Sequence, residues 1–249
     1  MTRHGGQKVL KRLNTAGHLR ISRKHGKFFV NPSAGPHKKD FCLPLVHIIR
    51  DLLKIVDTHR EAKKLVNNGY FKVDGKIVMD ETYPIGLMDV LSIEKINKYY
   101  RILPDSHYGL ILHEITDKES SFKLCRIVGK TTVKGGHIQL NLHDGKNILI
   151  KVKNPREPKE DTFKRMDILK ISIPEQEILK TFRFEKDNLA IIMDGKNIGK
   201  IGKISAIKKR FGPNASTVSI EHNEELTETL YDYTFIIGEK QSEISLPTN

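Results

Sequence analysis

The chain has 249 residues, with 43 Lys+Arg against 30 Asp+Glu and a formal charge of +13. That surplus asks for a polyanionic partner, nucleic acid first and an anionic membrane surface second. No run approaches the roughly 18 apolar residues of a membrane-spanning helix, no signal-peptide-like apolar stretch opens the chain, and the isolated Cys42 and Cys125 suit neither a disulfide framework nor a zinc site. A reducing cytosolic or nuclear setting is expected.

Residues 1–40 carry 10 basic and 1 acidic side chains, no sustained periodicity, and the breakers Pro32 and Pro36. Such a segment does not bury enough apolar surface to fold alone. It is expected to order against a polyanion, where counterion release offsets the entropy cost. His4, His18, His25 and His37 are read as phosphate or base contacts, and Gly35-Pro36-His37-Lys38 as a fixed turn.

From Pro44 the pattern becomes helical. Leu45, Ile48, Ile49, Leu52 and Leu53 repeat as an amphipathic stripe. Thr58 and Glu61 predict a capping box for a second helix, which buries Ala62, Leu65 and Val66 and stops at Gly69. On it Arg60, Lys63 and Lys64 share one face. Asp74-Gly75, between Tyr70–Val73 and Lys76–Val78, predicts a type I′ hairpin.

Beyond Ile93 the texture is β, with short strands expected at Tyr99–Leu103, Leu110–Ile115, Lys123–Val128, Ile138–Leu142 and Asn147–Val152. Lys153 to Arg165, with Pro155 and Pro158, reads as a loop; Ile168–Ile173 and Ile178–Phe184 resume strand character. Leu189–Met193 precedes the glycine-rich Asp194–Gly202, where Gly195, Gly199 and Gly202 allow tight turns or close approach to a ligand. Val218–Ile220, Thr227–Tyr231 and Phe235–Ile237 complete a small sheet or barrel.

Two motifs tempt and fail. Gly129-Lys130-Thr131-Thr132 mimics the end of a phosphate loop, but Leu124 stands where its first glycine belongs. The spacing of Gly195, Gly199 and Gly202 is wrong for a dinucleotide fingerprint. His113 and His143 lack metal-ligand spacing, and Asp89 is read as ordering a turn through backbone hydrogen bonds, not as catalytic.

The stretch Leu43–Ile93, with Ala62, Leu65-Val66, Val73-Asp74-Gly75-Lys76 and Asp89-Val90-Leu91-Ser92-Ile93, resembles the S-four RNA-binding domain. Asp194–Ile207 resembles the KOW motif of ribosomal and transcription proteins. From about Lys11 to Pro247 the chain resembles the family of small-subunit ribosomal protein four of eukaryotes and archaea, the S4e family. The pieces include Lys11-Arg12-Leu13-Asn14, Gly35-Pro36-His37-Lys38, Tyr83-Pro84, Lys123-Leu124-Cys125, His143-Asp144-Gly145 and Ile244-Ser245-Leu246-Pro247.

This resemblance implies an α+β, mostly β, multi-domain chain. Its parts are a basic N-terminal extension (1–41), an S-four-like RNA-binding domain (42–100), a central β domain (101–177), a KOW-type barrel (178–238) and a short tail (239–249). It implies a structural, non-enzymatic role in the small subunit, supporting assembly and translation. The partners are small-subunit ribosomal RNA and neighbouring ribosomal proteins, with no cofactor, metal, membrane or small-molecule substrate; the setting is cytoplasmic, with nucleolar assembly in a eukaryotic source. Leu19 stands where the family carries Trp, Asn154-Pro155-Arg156-Glu157-Pro158 replaces a Pro-Asp-Pro loop, and a shortened C-terminus lacking the basic tail is expected.

Phosphate contacts are expected in three groups. The arm offers Lys8, Lys11, Arg12, Arg20, Arg23, Lys24, Lys38 and Lys39. The helix pair and hairpin offer Arg50, Lys54, Arg60, Lys63, Lys64 and Lys72, and the KOW-like region offers Lys196, Lys200, Lys203, Lys208, Lys209 and Arg210. The alternatives are an RNA-modifying enzyme, which needs a separate catalytic domain, and a KOW-bearing transcription factor.

Overall fold

A computed structural model describes residues 9–19, 21–24, 26–107, 109–154, 161–210, 215–222 and 225–247. These residues are mostly β, in three five-stranded antiparallel sheets and two short two-stranded ladders.

The amphipathic stripe after Pro44 does not make one regular helix. Helix α1 (Leu45–His47) passes at once into a π turn (Ile48–Leu52). The turn widens where His47 Nδ1 lies 2.7 Å from Asp51 Oδ2 and Leu53 N–H reaches back to Ile48 O at 2.9 Å. Leu45, Val46, Ile48 and Ile49 are fully buried. Helix α2 (His59–Asn67) begins with the expected box: Glu61 N–H donates to Thr58 Oγ1 and Thr58 N–H to Glu61 Oε2, both at 3.3 Å.

The hairpin that follows has Asp74 at φ 48° and Gly75 at φ 75°, the two left-handed residues a type I′ turn requires. Its strands Phe71–Val73 and Lys76–Ile77 begin the hairpin sheet, which continues through Val90–Ile93, Lys98–Asp105 and Gly109–Ile115. The expected boundary at 100/101 therefore falls inside a strand that pairs back onto Val90–Ile93.

The middle sheet centres on the long strand Phe122–Thr132. Its first half pairs with Ile168–Ser172 and its second half, after a register shift between Ile127 and Gly129, with Ile138–Leu142. Asn147–Ile150 and Ile178–Phe182 are the edges, so the expected 177/178 boundary separates two chain segments of one sheet. Gly129–Thr132 is strand, with no helix beside it among the described residues to receive a phosphate. The C-terminal sheet orders Glu225–Leu230, Thr217–His222, Ile201–Lys208, Leu189–Ile192 and Thr234–Gly238.

One apolar core runs from the arm through the hairpin sheet into the C-terminal sheet, joining Leu19, Phe29, Ile49, Phe71, Ile204 and Phe235. A smaller core, with Cys125, Ile127, Leu140 and Leu169, lies under the middle sheet.

Candidate nucleic-acid interface

The arm does not wait for a partner to order it. Leu10–Lys11 pairs with Phe28–Phe29, and Leu10, Leu19 and Phe29 are each under 8% exposed in the main core. The arm is too polar to fold on itself, but three apolar side chains suffice when the surface they cover already exists. Leu19, where the family carries Trp, is one of these packing residues.

Two of the arm's histidines, His18 and His37, make internal contacts instead of the expected RNA contacts. His18 Nε2 donates to Cys42 O at 3.0 Å, and burial lowers the ring's pKa. The His37 ring turns inward against Gly86 and lies 2.8 Å from Asp89 Oδ2. His4 and His25 lie outside the described residues.

Of the arm's expected cations, Lys8 and Arg20 also lie outside the described residues. Lys11, Arg23, Lys24, Lys38 and Lys39 are exposed. Arg23 Nη1 donates to Leu13 O at 3.0 Å, which fixes its stem on the surface. Arg12 is half-buried; its Nη1 donates to Ser22 O at 2.8 Å and its guanidinium lies 5.5 Å from the Phe29 ring centre.

On the helix pair, Arg60 and Lys64 lie one turn apart on α2, exposed and in no ion pair among the described residues. Lys54, after α1, is exposed as well. The other three are engaged: Arg50 grips Asp51 through Nε and Nη2 at 2.7 Å each, Lys63 Nζ lies 2.8 Å from Glu81, and Lys72 pairs with Glu94.

On the C-terminal sheet Lys196, Lys203, Lys209 and Arg210 are exposed, Lys200 is half-buried, and Lys208 lies 3.5 Å from Glu228 across the intervening strand Thr217–His222. The glycine-rich turn makes an internal approach: a Cβ on Gly199 would stand 2.7 Å from Ser106 N and 2.9 Å from Asp105 C. That glycine docks the C-terminal sheet onto the end of the 98–105/109–115 hairpin.

The largest electrostatic feature is one that composition did not flag. Lys123 is 1% exposed, and its ammonium meets Asp74 Oδ2 and Asp144 Oδ2 at 2.9 Å each, and Asp89 as well. Asp74 Oδ1 also accepts Val90 N–H at 3.1 Å, and Asp89 Oδ2 accepts Gly86 N–H at 2.8 Å. The backbone role expected of Asp89 is therefore present, together with a charge partner from another sheet. Lys146 Nζ adds a bond to Asp74 Oδ2 at 2.6 Å.

Burial is the largest single influence and by itself would raise the carboxyl pKa values of Asp89 and Asp144, but Lys123 together with His37 and the Gly86 N–H at Asp89, and with His143 and Lys146 at Asp144, outweighs it and holds both below the usual range. The sequence signal was a lysine inside the apolar run Phe122–Cys125, and three Asp at turn positions.

Cys125, His143 and Asp144 place ligand-type atoms within 4.8 Å of one another. They do not fit a metal. His143 Nδ1 accepts Arg126 N–H at 3.2 Å while Nε2 donates to Leu87 O at 3.2 Å. Asp144 Oδ2 is held by the Lys123 ammonium, and burial raises the Cys125 thiol well above its ordinary pKa. The lysine supplies the positive charge a metal ion would bring.

The cations thus divide into an inward set that joins the sheets and an outward set over the arm, α2 and the C-terminal sheet. Among the described residues no helix is long and apolar enough to cross a membrane.

Known proteins are similar to this chain in sequence and fold. Residues 96–178 match the ribosomal family S4e and residues 4–40 match the RS4NT (NUC023) domain. The chain is 46% identical over 249 residues to the small ribosomal subunit protein eS4 of Staphylothermus marinus, covering 99% of this chain and 98% of that protein. It is 45% identical over 242 residues to the protein of the same name from Methanothermobacter thermautotrophicus, covering 97% and 96%. The crystal structure of the 30S ribosomal protein S4e from Thermoplasma acidophilum superposes with a TM-score of 0.65 at 32% identity, covering 80% of this chain and 95% of that one.

Proposed function

The chain belongs to the ribosomal S4e family, and on that premise we propose that it is a structural constituent of the small ribosomal subunit. It binds ribosomal RNA beside neighbouring ribosomal proteins in the cytoplasm, supports subunit assembly and translation, and acts by binding without catalysis. In a eukaryotic source, assembly is nucleolar.

In this reading residues 1–41 are a basic extension, α1, α2 and the hairpin sheet form an S-four-like RNA-binding module, the middle sheet with its edge strand Ile178–Phe182 is a central β domain, and the C-terminal sheet forms a KOW-type barrel with a short tail. The phosphate contacts are the outward cations of the three groups named above, with Lys38, Lys39, Arg60, Lys64, Lys196, Lys203 and Lys209 foremost.

The observation that carries this reading is the separation of charge by role. Lys123, Lys146 and Arg126 are committed to internal partners, while Arg60 and Lys64 face outward with no ion pair among the described residues. Folded RNA is gripped by such a surface through backbone and shape. The test is filter binding of the full chain to its own small-subunit RNA across a salt series. With 6–10 phosphate contacts, affinity falls by roughly 10³–10⁵ between about 50 and 200 mM salt; a flat response contradicts the reading.

A further inference from the structure

We infer that a cleft between the arm and the π turn of α1 receives a single guanine nucleotide turned out of the ribosomal RNA stack, an inference that rests on the RNA-binding reading above. The cleft has a volume of about 480 Å³, within the range of small-molecule pockets. Arg12 and Ile21 line it from the arm; Arg50, Asp51, Lys54 and Asp57 line it from the other side.

Two features mark it as a built site. The Arg12 guanidinium is immobilised by Ser22 O and the Phe29 ring, yet its Nε is buried with no hydrogen-bond partner among the described residues. A guanidinium held in place this way at the cleft wall presents its charge to a phosphate oxygen without further ordering cost. The wall opposite is the irregular part of the first helix: the π turn at Ile48–Leu52 and Lys54 at φ 52°, a left-handed conformation that is strained for lysine.

The groups then divide by chemistry. Asp51 is saturated, since Arg50 and His47 both occupy its oxygens at 2.7 Å. Arg12 and Lys54 remain for a phosphate, and half-buried Ile21 for the face of a base. Asp57 is exposed, with no ion pair or hydrogen bond among the described residues. A lone carboxylate accepts two parallel N–H bonds from the N1 and N2 edge of guanine, and no other standard base presents two adjacent donors there. Single-stranded bases splayed from RNA are recognised in this way.

The test uses the full chain on its own small-subunit RNA, with unpaired guanines probed by kethoxal, which reacts across N1 and N2. The wild type should shield one such guanine that Asp57→Ala leaves reactive, with the rest of the footprint unchanged. Asp57→Ala should also cost about tenfold in affinity, the size of one bidentate base contact. Lys54→Gln should keep the shielding and reduce the salt slope by about 0.7–0.9, the value of one neutralised phosphate. If every guanine reacts alike with wild type and Asp57→Ala, within an otherwise intact footprint, the cleft inference is overturned and the RNA-binding reading stands. If the wild type leaves no footprint, both fall.

Discussion

Lys123 and Asp144 face each other across 2.9 Å with both side chains 1% exposed. The same ammonium holds Asp74 at 2.9 Å and Asp89. Asp74 and Asp89 bracket strands of the hairpin sheet, whereas Lys123 and Asp144 come from the middle sheet and the turn at its edge. One lysine thus crosslinks the two sheets. Removing it leaves three carboxylates in a site with little water. Lys123→Met should therefore cost about 3–5 kcal/mol, the usual penalty for breaking a buried charge cluster from one side. Urea denaturation measures it; a loss below about 1 kcal/mol, the level of an exposed pair, would show that the cluster is not what joins the sheets.

The pH dependence follows from the same neighbourhood. His143 is pushed down to about 3 by burial first and by Lys123 second. Its Nδ1 accepts and its Nε2 donates, so the folded state holds it neutral. The unfolded chain protonates it near the ordinary imidazole value of 6.5, so stability falls as pH drops from about 6.5 towards 3. Asp89 and Asp144, both depressed, act in the same direction lower down: their contribution is complete above the ordinary carboxylate range near 4 and is lost as pH falls below it. The melting temperature should decline from about pH 6.5. His143→Gln should be less stable at pH 7 but decline less between 6.5 and 4; His18 and His113, also lowered by burial, account for what decline remains in that interval.

Gly86 is where the arm locks onto the rest. A Cβ there would stand 2.3 Å from the His37 ring, far inside contact distance. Gly86→Ala should displace His37 from Asp89 and cost about 1–3 kcal/mol, as overpacking does. Combined with His37→Ala the clash disappears, so the double variant should be more stable than the sum of the single losses predicts. Additive losses would mean that the two residues are not in contact.

Where sequence pattern and local chemistry agree, the fold was readable. The capping box at Thr58 and Glu61, the Asp74-Gly75 turn and the strands from Tyr99 to Ile237 lie where periodicity and turn residues put them, within a few residues. Long-range pairing was not readable. Nothing local tells Lys98–Asp105 to pair back onto Val90–Ile93 instead of opening a new sheet. Likewise, His37 lies in a basic, turn-rich segment that reads as solvated, and only the distant Asp89 and Gly86 turn it inward. The cations were legible as types but not as roles: Lys63 and Lys72 look like Arg60 and Lys64 until Glu81 and Glu94, far along the chain, arrive beside them.

That division yields a binding prediction. Arg60→Ala with Lys64→Ala should weaken RNA binding and lower the salt slope by about 0.7–0.9 for each phosphate no longer neutralised. Lys63→Ala and Lys72→Ala should do less, because each already shares its charge with a carboxylate. Deleting residues 1–40 is a poor test of the arm, since it takes Leu10, Leu19 and Phe29 out of the core and His37 from beside Asp89. Replacing Lys11, Lys24, Lys38 and Lys39 with Gln removes charge from exposed positions and leaves the packing intact. Equal slopes before and after would exclude the arm as a phosphate contact.

The most direct measurement is sedimentation of native extract on a sucrose gradient at physiological ionic strength, with the chain followed by antibody. The account predicts that the protein travels with the small ribosomal subunit and leaves it only as salt is raised. A protein that stays at the top of the gradient, away from small subunits at that ionic strength, would contradict it.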